Sequence, residues 1–130
     1  MSARFMEHKG VRVLFLDFAR IQDPAVLIRE IEEAKKFFAQ QPKRKEILTL
    51  VDLQGLYFNE DVLKAFRDLT IHDEPWEKAV AVIGFSQIGK VAFRANKLVV
   101  GSASQRLVPF DSRDEALEWL VKQAPAPVPT

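Results

Sequence analysis

The fold of this chain is decided by Val11-Arg12-Val13-Leu14-Phe15-Leu16-Asp17-Phe18, together with the Asp23-Pro24 pair and the amphipathic segment that follow it. The quoted run is almost entirely apolar, which is typical of a strand covered on both faces of a sheet. Asp23 is a good helix cap, and Pro24 suits the first helical position, where no N–H is needed. The next apolar residues recur at helical spacing: Leu27, Ile31, Ala34 and Phe38. A buried strand that leads into an amphipathic helix predicts an α/β fold.

The same alternation extends in both directions from this stretch. Upstream, the apolar-rich segment 4–7 is separated from it by His8-Lys9-Gly10, which predicts a β-hairpin. Downstream, further strands are predicted over 46–53, 79–83 and 106–110. Further helices are predicted after a cap at Asn59 or one of its neighbours, over 87–99, and after a cap at Ser112. The order ββαβαβαβα, with four helices, predicts a mixed, mainly parallel sheet. Pro109 suggests that the last strand lies at an edge of the sheet.

Composition limits the class of protein. A chain of 130 residues with 48% hydrophobic residues and no cysteine fits a single domain, assigned to residues 1–123, with a disordered proline-rich tail at 124–130. The absence of cysteine excludes disulfides, thiolate metal sites and a cysteine nucleophile. No apolar stretch approaches the roughly 18 residues of a membrane span, and residues 1–10 do not resemble a signal peptide. We therefore expect a cytoplasmic protein without a membrane span.

Charge gives a weaker signal. The net charge of +1 does not point to nucleic acid as a partner. Between residues 78 and 110, however, there is no acidic residue and there are five basic ones: Lys78, Lys90, Arg94, Lys97 and Arg106. Either one face of the predicted third helix is locally basic, or these side chains belong to an ordinary solvated surface.

Three local patterns resemble the STAS domain, and specifically its SpoIIAA-like (anti-sigma factor antagonist-like) group. The first is the hairpin, Asp-Pro pair and long helix of residues 11–38, and the second is the strand ending Leu50-Val51-Asp52-Leu53-Gln54-Gly55-Leu56. The third is Val80-Ala81-Val82-Ile83-Gly84, followed later by Phe110-Asp111-Ser112 and a helix with Trp119-Leu120. The resemblance covers about residues 4–122. Because these are packing and capping motifs, they specify a fold better than an activity.

The resemblance implies a partner-binding loop after the Asp-Leu strand. In anti-sigma factor antagonists, this loop leads into a helix whose N-terminal serine is phosphorylated to break the partner contact. The corresponding residues are predicted to bind a partner here: Gln54, Gly55, Tyr57, Asn59 and Asp61. No serine or threonine occurs from Leu50 to Leu69, so a phosphorylation switch is not expected at this site. Asp61 either supplies a permanent negative charge or belongs to an ordinary acidic first turn of a capped helix.

A glycine-containing turn after the predicted strand 79–83 is the second candidate site. Gly84 to Lys90 matches the spacing of a phosphate-binding loop, but Val91 stands where that loop needs a hydroxyl for Mg²⁺. Nucleotide hydrolysis is therefore not predicted. A simpler anion site remains open, built from Gly84, Ser86, Gly89 and Lys90 at a helix N-terminus. The alternative is a structural turn.

No catalytic, cofactor or metal site is predicted from the remaining residues. His8 and His72 lack the neighbours of a catalytic triad, and the carboxylates next to His72 point in different directions. Asp17 and Asp52 both end apolar strands, where general acid–base chemistry is one interpretation and turn capping is the other.

Two functions from different classes follow. The first is a non-enzymatic regulatory or protein-interaction module that acts through residues 54–61 and the neighbouring turn at Gly84. The second is a carrier of a small apolar molecule or lipid with its cavity between helices and sheet. The ten phenylalanines motivate the second hypothesis, as they do homodimer formation through Phe37 or Phe93.

Overall fold

A computed structural model describes residues 3–84 and 106–124 of the chain. In chain order these form β1 (Ala3–His8), β2 (Val11–Asp17), α1 (Pro24–Ala39), β3 (Ile47–Asp52), α2 (Glu60–Asp73), β4 (Glu77–Ile83), β5 (Leu107–Phe110) and α3 (Arg113–Gln123). The helix predicted over 87–99 and the tail after residue 124 lie outside the described residues. The other predicted elements are all present, with ends that differ by one or two residues.

The strands form one sheet in the order β1-β2-β3-β4-β5. β1 and β2 pair antiparallel, whereas the pairs β2–β3, β3–β4 and β4–β5 are parallel. Lys9 and Gly10, at the hairpin tip, both have positive φ angles of 51° and 78°, as the tight turn between twisted strands requires. The predicted mixed, mainly parallel sheet is confirmed, as is the edge position of the strand that contains Pro109.

The sheet is covered on both faces, which explains the continuous apolar runs of its central strands. α1 and α2 pack on one face, where the core includes Leu16, Phe18 and Ile31. α3 packs on the other face against residues such as Phe15, Leu50 and Ile83. Side chains of a strand point alternately to the two faces, so β2 contributes to both clusters.

Side-chain caps begin all three described helices as predicted. Asp23 accepts a hydrogen bond from the Ala25 amide at 2.9 Å, and Asn59 accepts one from the Val62 amide at 2.8 Å. Ser112 accepts one from the Glu115 amide at 3.2 Å. Each cap satisfies an N–H that has no partner within its helix.

Most of the described phenylalanine rings pack into the core. Phe38 is fully buried, and the half-buried Phe37 lies against Phe5 with ring centroids 5.5 Å apart. Among the described residues, the exposed large hydrophobic side chains are Tyr57 and Ile71. Phe37 thus has an intramolecular partner, while Phe93 lies outside the described residues.

Candidate functional site

The candidate site lies where β2, β3 and β4 end. We call this region the carboxyl edge and define it as residues 17–23, 52–59 and Gly84. In open α/β sheets, the crevice beyond the carboxyl ends of parallel strands is the usual place for a binding site.

Backbone hydrogen bonds join the two loops of the carboxyl edge. The Arg20 amide donates to the Gln54 carbonyl at 2.8 Å, and the Tyr57 amide donates to the Ile21 carbonyl at 2.8 Å. The Gln22 side-chain amide donates to the Gly55 carbonyl. Loop 18–23 and loop 53–59 are therefore held as one unit rather than as two independent segments.

Gly84 connects the third strand to this unit. Its φ angle is 94°, and a Cβ atom placed on it would lie 2.5 Å from the Gln54 nitrogen and 2.7 Å from the Leu53 carbonyl carbon. A side chain cannot fit at that distance, so glycine is required for this close approach. The predicted partner loop and the start of the predicted anion-binding turn are thus in contact. Ser86, Gly89 and Lys90 lie outside the described residues.

The five predicted partner-binding residues have different roles in the structure. Gln54 and Gly55 form the turn after β3, and Tyr57 presents a side chain that is 39% exposed. Asn59 caps α2, which is a structural role. Asp61 is exposed beside Glu60 in the first turn of α2, where negative charge is favourable.

Asp17 and Asp52 are neighbours in the register between β2 and β3. The Asp17 carboxylate accepts a hydrogen bond from the Ala19 amide at 3.1 Å, and the Asp52 carboxylate accepts one from the Gln54 amide at 2.9 Å. Both carboxylates stabilise turns, so the turn-capping interpretation is confirmed.

The electrostatic environment of Asp52 includes two arginines that sequence reasoning missed. Burial raises the pKa of Asp52, the Gln54 amide opposes that shift, and the charge of Asp17 adds to it. Arg113 and Arg20 lower the pKa of the same carboxyl group. They come from the start of α3 and from loop 18–23, which no local sequence pattern connects to Asp52.

A buried charge cluster at the other end of the sheet was also missed. Asp73 at the end of α2, Glu77 at the start of β4 and Arg106 before β5 are 1%, 3% and 6% exposed. An Arg106 guanidinium nitrogen lies 3.5 Å from a Glu77 carboxylate oxygen and donates to the Thr70 carbonyl at 2.9 Å. Arg106 does not belong to a solvated basic surface, because its side chain is enclosed.

The cluster contains two carboxyl groups and one guanidinium. Burial, reinforced by the charge of Glu77, raises the pKa of Asp73 to about 9. Burial also raises the pKa of Glu77, to about 7, against the opposing charge of Arg106. Asp73 is thus the group that keeps a proton at neutral pH. Its carboxyl group lies 2.7 Å from Nδ1 of His72, so the expectation that the side chains of His72 and Asp73 point in different directions is wrong. Burial lowers the pKa of His72.

A small cavity adjoins this cluster between α2 and the sheet. Its volume is about 30 Å³, and its walls include Leu16, Val82 and Phe66, with Asp73 and Glu77 among the lining residues. That volume admits water, whereas an apolar cavity of about 150 Å³ is needed to hold even benzene. The described residues leave no room here for an acyl chain.

Comparison with solved structures identifies the fold. The chain matches an uncharacterised DUF3478-family protein with a SpoIIAA-like fold from Shewanella loihica PV-4. The TM-score is 0.64, the sequence identity is 18%, and the match covers 91% of each chain. The chain therefore has a SpoIIAA-like α/β fold, as its sequence patterns predicted. No protein-family model matches the chain, and no curated protein does.

None of the helices in the described residues combines the length and the apolar character that a transmembrane helix needs.

Proposed function

We propose that this protein is a non-enzymatic regulatory or protein-interaction module that binds a protein partner through its carboxyl edge. The observation that carries the proposal is the pair of joined loops that holds an exposed Tyr57 next to the acidic first turn of α2. Tyrosine on a rigid surface supplies large contact area at low cost in conformational entropy, and aromatic residues are enriched at interfaces.

The charge of this surface favours a partner with basic or hydrogen-bonding groups. Glu60 and Asp61 carry negative charge beside Tyr57, and Gln54 adds an exposed amide. Because no serine or threonine occurs from Leu50 to Leu69, regulation by a phosphoserine at this loop is not part of the proposal. The hydrogen bonds of Asp17 and Asp52 support structural roles for these carboxylates within the module.

Site-specific photo-crosslinking tests this surface. A photoreactive amino acid placed at Gln54 would be activated in lysate from the native cell, in the otherwise unchanged chain and in Tyr57→Ala/Asp61→Lys. We expect a discrete crosslinked protein that is lost in the double variant, because the variant removes the aromatic contact and reverses the charge.

Helix α2, which carries Asp61, also offers a matched control. Ile71 is 50% exposed and Asp68 is exposed, so Ile71→Ala/Asp68→Lys makes comparable changes away from the carboxyl edge. The control should retain the crosslinked product. The same products with Tyr57→Ala/Asp61→Lys as with the unchanged chain would refute binding through this surface.

A further inference from the structure

An open groove lies at the opposite end of the sheet, where β2, β3 and β4 begin. Its volume is about 900 Å³, which is within the range of small-molecule sites. Four of its lining residues are cationic, namely Lys9, Arg12, Lys45 and Lys78, and one, Glu46, is acidic. The groove is therefore strongly positive although the chain as a whole is nearly neutral.

Two of these cations have neither an ion pair nor an aromatic partner among the described residues. Lys9 is paired with Glu118 at 2.5 Å, and the Arg12 guanidinium lies 3.5 Å from the centre of the Phe5 ring. Lys45 and Lys78 are exposed, and neither takes part in the ion pairs of the described chain. Clefts lined by one sign of charge raise the local concentration of oppositely charged ligands.

Backbone irregularities place these two lysines. Ile47 pairs with Glu77 but Leu48 pairs with Ala79, so Lys78 is the extra residue of a β-bulge. Lys45 has a φ angle of 53°, which is uncommon for a residue with a side chain. Bulges redirect side chains and are frequent beside binding sites.

The remaining walls are apolar. Val11, Leu48 and Ala124 also line the groove. A bare inorganic anion would leave most of this volume unfilled, and a single carboxylate would leave most of the positive charge unmatched. A phosphomonoester carries a charge of about −1.5 to −2 at neutral pH and has three acceptor oxygens. An organic group attached to it would contact Val11 and Leu48.

We propose that this groove binds an organic phosphomonoester, with the phosphate between Lys45, Lys78 and Arg12 and the organic group on Val11 and Leu48. A free metabolite and a lipid headgroup can both present this chemistry. The site is separate from the carboxyl edge and does not depend on the function proposed for that edge.

Isothermal titration calorimetry with the full chain tests the proposal. The probes are hexyl phosphate, inorganic phosphate and hexanoate, and the variants are Lys45→Glu/Lys78→Glu and the milder Lys45→Gln/Lys78→Gln. We expect hexyl phosphate to bind at least about tenfold more tightly than either other probe, and both variants to weaken it by about tenfold or more. Circular dichroism of each variant verifies that it is folded.

Lys64→Glu/Arg67→Glu is the matched control, because both residues are exposed on α2 and the change in net charge is the same. This control should bind hexyl phosphate as the unchanged chain does. Equal weakening by the control and by Lys45→Glu/Lys78→Glu would show a nonspecific charge effect and overturn the proposal. Equal affinity for inorganic phosphate and hexyl phosphate would also overturn it.

Sedimentation with phosphatidylcholine vesicles that contain phosphatidic acid or phosphatidylserine separates the two sources of the ligand. Binding of hexyl phosphate together with selective binding of phosphatidic acid supports a lipid source. Binding of hexyl phosphate without vesicle binding supports a free metabolite. Equal binding to both anionic vesicles without binding of hexyl phosphate would indicate a general membrane-surface contact and refute the site.

Discussion

The two ends of the sheet are stabilised by different interactions. At the carboxyl edge, loops 18–23 and 53–59 are joined by backbone hydrogen bonds, and Gly84 packs directly on the Gln54 backbone. At the other end, charged side chains dominate. We call this end the amino edge and define it as residues 9–12, 43–46 and 77–78 together with Asp73 and Arg106. Some of these are buried, as in the Glu77–Arg106 pair, and others line the groove.

The two ends of the sheet should therefore differ in how their stability responds to pH and to substitution. Backbone hydrogen bonds do not titrate near neutral pH, whereas buried carboxyl groups with raised pKa values do. We therefore expect the amino edge to respond to pH and to charge substitutions, and the carboxyl edge to respond to changes in backbone fit. Each prediction below tests one side of this comparison.

The largest loss of stability is expected for Arg106→Met. Removing the guanidinium leaves Glu77 buried without its partner, and breaking a buried ion pair costs about 3–5 kcal/mol. Urea unfolding measures this loss. The double variant Glu77→Gln/Arg106→Met should recover part of it, because no unpaired charge remains, and Lys78→Met, an exposed neighbour, should change stability little. A loss of less than about 1 kcal/mol for Arg106→Met would show that the pair contributes little.

Gly84→Ala should have the next largest effect. The added methyl group would overlap the Gln54 backbone in a left-handed conformation, so we expect a loss of about 3 kcal/mol. Gly10→Ala is the control, since Gly10 has a similar φ angle of 78° but no atom within 4 Å of a Cβ. The difference between the two free energies of unfolding isolates the contact with Gln54. Equal losses would mean that Gly84 matters only for its conformation.

The effect of pH on the free energy of unfolding should be smaller for each pH unit and should follow Asp73. Because the pKa of Asp73 is raised to about 9, the folded chain keeps a proton that the unfolded chain releases near its ordinary pKa of 3.8. The folded state binds more protons in that interval, so its stability falls as the pH rises towards about 9.

Asp73→Asn mimics the protonated carboxyl group and should remove much of this fall. We expect the variant to gain stability over the unchanged chain progressively from about pH 5 to pH 9, by at most about 1.4 kcal/mol for each pH unit, measured by urea unfolding at each pH. Asp68→Asn, on the exposed side of the same helix, should show no such gain. A parallel pH dependence in the unchanged chain and in Asp73→Asn would contradict the assignment of the proton to Asp73.

Local patterns predicted most of the fold. The strand over Val11–Asp17, the helix capped by Asp23 and the cap at Ser112 all depend on residues within a few positions of one another. Such short-range preferences act before distant parts of the chain meet, so they can be recognised in sequence. Asn59 was predicted both as a cap and as a partner contact, and the structure shows the cap.

The candidate sites could be predicted only in part. Gln54, Gly55 and Tyr57 are close together in sequence and could be grouped from it. Their hydrogen bonds, however, connect them to residues 20–22 of another loop, which no local pattern indicates. The Lys43-Arg44-Lys45 run attracts no notice in a chain with a net charge of +1. Its importance arises because parallel strands start at the same edge, where Lys45 shares a groove with Lys78 and with Lys9 of the hairpin.

The sequence by itself determined the order of strands and helices, the helix caps and the SpoIIAA-like fold, because periodicity and capping are local properties of the chain. Only the tertiary structure decided which charged side chains are buried and which are exposed to a ligand. Asp73, Glu77 and Arg106 are ordinary polar residues in sequence, but α2, β4 and β5 enclose them together. Burial depends on what packs around a side chain, and parallel crossovers bring those neighbours from distant positions.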